Sequence, residues 1–348
     1  MASALEFPTF KGRPGWEFTD ISALDVEAYE AVPTVMATVG SPSPSSGSLW
    51  SLEAPTLPAG VSVEFENDTT VVTVGRGVVL DAPLPLSVAV PSGALLNQRT
   101  RVVVEDGAQA EVWEQFVSEG DCLLNVATEL QVGDGAMLRY VNGQGLSEDA
   151  WIFGAQNASV GRDARLDWVA LGFGSRSGHV LMQTRLTGEG SEARVTGAYA
   201  TRGSQHIDFD TTQEHAAPNT TSDLAFRGVL TERSSAVWKG NIIVDPGAQK
   251  TDAFQESRNL LLSKRAHADS IPGLEIQAND VRCTHAAAVA QVDPDQLFYL
   301  RAHGLPEPDA KRLVIEGFLA ALVERFEAGP VREVLGAALE RRLELILG

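Results

Sequence analysis

The sequence predicts an all-β core folded as a right-handed parallel β-helix, a solenoid, with a short N-terminal helical segment and a C-terminal helical domain. Between residues 49 and 290 the chain consists of short runs such as VSVEF, TVVTV and RLDWVAL, separated by Gly, Asp, Asn and Ser. A turn-then-strand phrase recurs through this region at a nearly fixed interval. After residue 290 the pattern changes, and apolar residues recur at helical spacing.

The repeat is clearest in its alanines. In "EDGAQAEVW", "VGDGAMLRY" and "VGRDARLDW" the residues Ala108, Ala136 and Ala164 are 28 positions apart, and in "GEGSEARVTG" Ala193 follows after 29. Other strands, including LLNVATEL and HVLMQTRL, lie between them, so each repeat holds about two strands. A β-sandwich also has regular strands. Self-similarity over four units instead favours a solenoid, in which each coil buries its inward face on the next.

Three regions follow from these changes in composition. Residues 1–48 hold a short amphipathic pattern from Phe18 to Val32 and then a linker, SPSPSSGS. Residues 49–290 form the predicted β-helix core. Residues 291–348 form the helical domain, which we expect either to cap the open end of the solenoid or to present a surface to a partner.

The helical domain has clear start and stop signals. Asp293 is a good N-cap with proline at the first helical position, and Gly304 with Pro306 ends this first short helix. Apolar residues at helical spacing then continue from residue 309 to residue 326, and again after the Gly–Pro pair at 329–330. The sequence therefore predicts one short helix followed by a helical C-terminal appendage.

The charge balance argues against nucleic acid or a membrane as a partner. The chain has 27 Lys and Arg against 46 Asp and Glu, a net charge of −19, which repels phosphate backbones and anionic lipids. No stretch approaches the roughly 20 apolar residues that span a bilayer, and the N-terminus lacks a signal-peptide pattern. Two cysteines are too few for a disulfide framework. We therefore expect a cytoplasmic protein.

Signatures of nucleotide and hydrolase chemistry are missing from the sequence. It contains no GxxxxGK[ST] phosphate loop, no GxSxG elbow, no HExxH and no strand-linked GxGxxG. We therefore expect that this chain binds no nucleotide itself.

One candidate site lies in "VRCTHAAAV", where Cys283 precedes His285 by two positions. In an extended strand these side chains share one face, roughly 6–7 Å apart. Iron and iron–sulfur centres take thiolate and imidazole donors, but two ligands are too few for a closed site. Two interpretations stay open: a ligand pair completed from elsewhere in the chain or by a partner, or a buried structural cysteine beside a hydrogen-bonded histidine.

A second polar concentration lies in "HIDFDTTQEHAAPNTTS". An extended strand places His206, Asp208 and Asp210 on one face. Paired carboxylates serve glycosidases, and β-helices carry polysaccharide-cleaving enzymes, so a lyase or hydrolase with an exposed acidic groove is one hypothesis. A solvated strand face followed by a turn explains the same residues. His215 is expected in a loop that could line a surface.

The tract from Gln213 to Leu305 resembles the SufB/SufD family of iron–sulfur cluster assembly proteins, and its SufD branch most. The resemblance rests on an ordered set of phrases, namely "EHAAPNTTS", "GNIIV", "QESRNLLLS", "LEIQANDVRCTH" and "DPDQLFYLRAHG". No single phrase would suffice, but their order is specific. The preceding repeats agree in kind with that family's right-handed β-helix, and the tail agrees with its C-terminal helical domain.

The resemblance implies a non-enzymatic subunit of the SUF system. Such a subunit pairs with a SufB-like subunit, edge of β-helix to edge of β-helix, and binds the ABC-type ATPase SufC through its C-terminal helices. The histidine of the family's C-x-H phrase is implicated in assembling a transient iron–sulfur cluster at the SufB interface. The matching positions here are His285 and Cys283. The family's glycine- and threonine-containing phrase after this histidine is replaced by three alanines, 286–288.

Several alternatives remain at this stage. The chain could be a purely structural partner, with every cluster ligand supplied by the SufB-like subunit. The isolated chain could form a homodimer through the surface meant for that subunit. The polysaccharide lyase or hydrolase using Asp208 and Asp210 is the rival from a different class.

Overall fold

Two parallel β-sheets, wound as one continuous coil, form the body of the protein. The computed structural model describes residues 17–40, 47–326 and 329–347. The strands are β1 (Glu30–Val32), β2 (Thr38–Val39), β3 (Val61–Glu66), β4 (Thr69–Val74), β5 (Leu84–Ala89), β6 (Ala94–Val104), β7 (Gln109–Val117), β8 (Leu123–Val132), β9 (Met137–Gly145), β10 (Trp151–Val160), β11 (Arg165–Gly172), β12 (Ser177–Leu186), β13 (Glu192–Thr201), β14 (His206–His215), β15 (Thr221–Leu230), β16 (Ser235–Val244), β17 (Asp252–Leu261), β18 (His267–Ile276) and β19 (Arg282–Gln291).

From β4 onward the chain passes from one sheet to the other at every strand. The even-numbered strands from β4 to β18 form sheet A, the odd-numbered strands from β5 to β19 form sheet B, and each strand pairs in parallel with its predecessor in the same sheet. The chain completes about eight turns in this way. Each sheet begins with an antiparallel strand, β3 on β4 and β2 on β5. The predicted parallel β-solenoid is confirmed.

The strand register confirms the alanine repeat over three coils and corrects it in the fourth. Ala108, Ala136 and Ala164 precede strands that pair in register, and all three are fully buried. In the next coil Arg165 pairs with Glu192, so Ser191 takes the position predicted for Ala193. The interval shortens to 27 because one turn is shorter. Serine fits this buried corner because its hydroxyl donates to the Gly188 carbonyl at 2.7 Å.

The C-terminal helices lie on the outward face of sheet B. They are α1 (Pro294–Ala302), α2 (Glu307–Val323) and α3 (Pro330–Leu347). The Asp293 side chain caps α1 by accepting from the Asp295 amide, as predicted. Ile315, Leu319 and Leu343 pack with outward-facing apolar residues of sheet B in one cluster. The described helices form a layer on a sheet face and do not cap the open end of the solenoid, which was one of the two predicted arrangements. Within the described residues they leave the last strands of the solenoid uncovered.

A ladder of opposite charges holds the end of α2 on sheet B. Arg139 and Arg194 lie in register on either side of Asp167 and donate to its carboxylate at 2.9 Å and 2.5 Å. Both guanidinium groups also lie over the ring of Phe326, 6.0 Å and 5.2 Å from its centroid. The ladder therefore combines ion pairs along the sheet with cation–π contacts to the helical layer.

The described N-terminal residues cover part of the outward face of sheet A. Their only helical turn is a 3-10 helix at Val26–Ala28. This segment packs its four partly buried apolar residues, Ile21, Leu24, Val26 and Tyr29, on Leu95, Leu123, Trp151 and Phe153. Residues 41–46 of the predicted linker lie outside the described residues. Among the described helices none is long and apolar enough to cross a membrane.

Arg342 anchors α3 to the solenoid through a buried guanidinium group. It is 6% exposed and donates to the Ala200 carbonyl at 2.9 Å, to Gln205 Oε1 at 2.8 Å and to Glu148 Oε1 at 3.0 Å. Burial lowers the pKa of Arg342, and the Glu148 carboxylate opposes this effect. These three bonds together fix how α3 lies across sheet B.

Replacing Arg342 by methionine should lower the free energy of unfolding, measured by urea titration, by about 3 kcal/mol, because buried acceptors lose a charged donor. The matched control is Arg312→Met on α2, which removes a half-exposed ion pair with Glu316. That change should cost less than about 1 kcal/mol. Equal losses in the two variants would contradict the anchoring role.

Candidate functional site

Cys283 and His285 lie at the end of the solenoid formed by β18 and β19, which we call the open end. Both residues are in β19, so the expected extended conformation is confirmed. Cys283 is in register with Ala253, and His285 with Gln255, and these two partners in β17 are buried in the interior. The two candidate side chains therefore occupy inward-facing positions. No described coil follows β19 to cover them, so Cys283 is half-buried and His285 is exposed.

The structure rules out a buried, hydrogen-bonded state for His285. Its imidazole is exposed and makes no hydrogen bond or ion pair with the described part of the chain. Alternate residues of a strand are roughly 6–7 Å apart, so the Cys283 thiol and the imidazole face the same side of the open end. Across the described residues no three His, Cys, Asp or Glu side chains are placed to hold a metal ion.

The surroundings keep the Cys283 thiol protonated at neutral pH. Burial raises its pKa, and the Asp252 carboxylate raises it further. Asp252 is itself paired with Arg282, the first residue of β19. A metal ligand must be a thiolate, so binding here would release a proton and would be stronger at higher pH.

The open end is also apolar and has free strand edges. Ile276 and Val289 are each 43% exposed, and Ile271 and Leu274 are exposed to a similar extent. β18 and β19 are the last strands of their sheets, and each pairs with one strand of its sheet among those described. Edge strands with apolar side chains are templates for another chain. The open end therefore has the character of a protein interface.

The structure places His206, Asp208 and Asp210 on one face, as predicted, but not in an exposed acidic groove. Asp208 is 2% exposed, accepts from the Thr19 hydroxyl at 2.6 Å and pairs with His179 Nδ1 at 2.8 Å. Asp210 is paired with a lysine, Lys239, at 3.2 Å. The groove required by the lyase or hydrolase hypothesis is absent here because the N-terminal segment covers Asp208.

His215 is the last residue of β14 and is fully buried, so its predicted place in a surface loop is wrong. Its Nδ1 lies 2.7 Å from the Thr220 hydroxyl and its Nε2 lies 2.9 Å from the Ser222 hydroxyl. The Thr220 hydroxyl donates to the Ala217 carbonyl. The Thr220 hydroxyl can therefore accept from Nδ1–H. Burial lowers the pKa of His215, so the ring is neutral at pH 7 and Nε2 then accepts from the Ser222 hydroxyl.

A second surface lies on α1; a partner surface on the helical domain was expected from the sequence, but the residues that form it were not predicted. On α1, Phe298 is 74% exposed and Tyr299 is 62% exposed, and no residue of this helix is buried. The groove between α1 and α2 is lined by Leu300, Leu313 and Phe318. Two adjacent aromatic residues in a helix of low amphipathicity were the available signal. We call Phe298, Tyr299 and this groove the α1 surface.

The fold and these surfaces define a class of protein: a solenoid scaffold with an apolar edge suited to assembly with another chain. The SUF system FeS cluster assembly SufBD core domain matches residues 88–318, and the chain belongs to this family. It functions in the assembly of iron–sulfur clusters by the SUF system.

Relatives of known name agree with this assignment. The chain is 33% identical to an iron–sulfur cluster assembly SufBD family protein of Mycobacterium bovis, over 80% of this chain and 72% of the relative. It is 33% identical to the iron–sulfur cluster assembly protein SufD of Bacillus subtilis, over 72% and 58% of the two chains. It is 29% identical to SufD of Escherichia coli, over 71% and 59%.

Iodoacetamide at pH 8 should modify Cys283 and leave Cys122 unmodified in the folded protein. Cys122 is fully buried, and burial raises its pKa to about 11, whereas Cys283 is partly accessible. Mass spectrometry of tryptic peptides would locate the label, and urea-unfolded protein, labelled at both cysteines, is the control. Labelling at Cys122, or none at Cys283, would contradict this geometry.

His215 should make the protein less stable in acid. Burial lowers its pKa to about 4, against about 6.5 in an unfolded chain. Its contribution is complete above about pH 6.5 and is lost as the pH falls towards 4, by about 2–3 kcal/mol. His215→Gln keeps hydrogen-bonding groups without titrating. Urea titrations at pH 7 and pH 4 should therefore show a larger loss for the unmodified chain, and parallel losses would refute this assignment.

Proposed function

We propose that the chain is a SufD-like, non-catalytic subunit that pairs with a SufB-like scaffold and a SufC-like ATPase to assemble nascent iron–sulfur clusters. The observation that carries this proposal is the open end, where Cys283 and His285 occupy inward-facing positions on an uncovered last strand. A resident site would have its ligands enclosed. Here an inward face is left accessible, as a shared site requires.

Pairing at the open end is supported by the unpaired backbone groups and the exposed apolar side chains of β18 and β19. Their outer edges have backbone donors and acceptors that no described strand pairs with, and Ile276 and Val289 are exposed. The terminal strands of a SufB-like chain would cover both kinds of group. A homodimer of the isolated chain through the same edges is the competing arrangement, and it would be displaced by the heterologous partner.

The cluster is the cargo of this complex. Two donors from one chain leave at least half of the coordination of an iron centre to the partner. A cluster held in this way is released when the two edges separate, which suits transfer to a recipient protein. His285 would bind through a neutral ring nitrogen, and Cys283 would bind after its thiol loses a proton to solvent.

The α1 surface is the proposed docking site for the SufC-like ATPase. Phe298 and Tyr299 are large, exposed and adjacent, which is typical of interface anchors. α2 and α3 are fixed on sheet B through Phe326 and Arg342. A force applied to α1 would therefore reach the sheet that carries Cys283 and His285.

Anaerobic co-purification with SufB-like and SufC-like partners, followed by iron and sulfide determination, tests this function. The His285→Ala complex should assemble normally and lose most of its iron and sulfide. The matched control is His267→Ala, because His267 is an exposed histidine of the same end that lies on the outward side of β18. A His285→Ala complex that retains its cluster would mean a purely structural partner, and failure of the unmodified complex to form would refute the pairing.

The same preparation tests the second interface. Phe298→Ser should lose the SufC-like subunit and keep the SufB-like one, because Phe298 is on α1 and does not belong to the β18 and β19 edges. Loss of both partners would instead indicate a general folding defect, which circular dichroism of the isolated variant would reveal.

A further inference from the structure

The interior beneath His285 becomes polar in the last full turn. The residues that occupy the same inward position in three earlier coils are apolar and buried: Leu224, Val195 and Trp168. The residue directly beneath His285 is instead Gln255, and β17 also turns Ser257 and Asn259 inward. All three are at most 2% exposed. Buried polar groups of this kind require partners. Tyr199 of β13 donates to Asn259 Oδ1 within the same sheet at 2.6 Å, and further partners lie in the opposite sheet.

Hydrogen bonds cross the interior from β17 to the last strands of sheet A. Gln255 Nε2 donates to the Gly273 carbonyl at 3.1 Å and to the Gly240 carbonyl at 3.3 Å. Asn259 Nδ2 donates to Ser270 Oγ at 3.1 Å, and the hydroxyls of Ser257 and Ser270 are 3.0 Å apart. Gly273 and Ser270 belong to β18, the terminal strand of sheet A. Unlike apolar contacts, these bonds fix a direction and a distance between the sheets.

This network is poorly suited to a role in stability alone. Gln255 Oε1 is buried and has no hydrogen-bond partner among the described residues. A buried amide with an unpaired oxygen contributes little net stability, and a protein with an apolar side chain of similar volume at that position is often as stable or more stable. The same space is closely fitted, since a Cβ at Gly240 would lie 2.8 Å from Gln255 Oε1. These groups therefore contribute to the relative position of the two sheets more than to the free energy of unfolding.

We propose that Gln255, together with Ser257, Asn259 and Ser270, is a set of positioning residues for the open end. They hold β18 at a fixed distance from β17 in the opposite sheet. β19, which contains Cys283 and His285, is stacked on β17. This inference rests on the proposed function, because it concerns how the two edges are presented to the SufB-like partner. β18 needs such a tether because its inward residues Leu274 and Ile276 are exposed, and no coil among the described residues lies beyond them.

Hydrogen exchange of the isolated full-length chain tests the tether, with Gln255→Met and Ser270→Ala as variants. The protected amides of β18 should exchange about tenfold faster in each, as expected for the loss of one or two hydrogen bonds. Amides of β14 should be unchanged. Leu224→Met, one coil earlier in the same inward position, is the matched control, and Ser270→Thr should restore protection because it keeps the hydroxyl.

The positioning role is tested by measuring partner affinity and iron content in the complex with the SufB-like subunit. Gln255→Met should bind the SufB-like partner about tenfold more weakly and hold less iron, while its thermal midpoint stays close to that of the unmodified chain. Unchanged exchange in both variants overturns the tether, and faster exchange with unaltered partner affinity and iron content overturns the positioning role. If the unmodified chain binds no SufB-like partner, the proposed function fails, whereas the exchange comparison still decides whether these residues fix β18.

Discussion

The stacking of each coil in register on the previous one is the constraint on which the structure depends. Parallel strands about 4.8 Å apart bring side chains from successive coils into contact, so each inward position is surrounded by its equivalents above and below. Ala108, Ala136, Ala164 and Ser191 occupy the same corner in successive coils and are all fully buried, so only small side chains fit there. The same rule explains the candidate site, because Cys283 and His285 are inward-facing residues in a coil that has no described successor.

The two ends of the solenoid differ in whether their edge strands are covered, and its two outward faces are covered by different segments. Both sheets begin with an antiparallel strand, and both outward faces are partly covered, sheet A by the N-terminal segment and sheet B by α2 and α3. Within the described residues the last strands of both sheets have free parallel edges. A solenoid protected elsewhere and unprotected at one end directs association to that end.

Much of the fold followed from the sequence, because a solenoid repeats its signal in every coil. The turn phrases, the capped α1 and the alternation that puts Cys283 and His285 on one face are local patterns, and local patterns can be recognised without the fold. The shift from Ala193 to Ser191 was missed because coil length varies, from 26 residues between Trp151 and Ser177 to 32 between Ser235 and His267. Whether a strand face points inward depends on pairing with a strand about 30 residues earlier, so the exposure of His285 could not be predicted.

The wrong predictions concern residues whose burial is set by the tertiary fold. The polar sequence around Asp208 is typical of an open carboxylate site, yet Asp208 is buried and accepts from Thr19, 189 positions earlier. His215 is followed by residues typical of a loop, yet it is the buried last residue of β14. The α1 surface depends on what the neighbouring helices leave uncovered, which residue spacing does not reveal. Tertiary coverage, and not local preference, decided each of these cases.

The attachment of α3 has a consequence for how the chain reaches its native state. Each coil contacts the one about 28 residues earlier, so the solenoid can form progressively from near neighbours, as local contacts close quickly. Arg341 of α3 instead donates to the Leu49 carbonyl, 292 positions earlier. That contact joins the start of the core to the end of the chain, so it can form only after the whole solenoid has been synthesised. Completion of the coils and attachment of the last helix are thus ordered in time during biosynthesis.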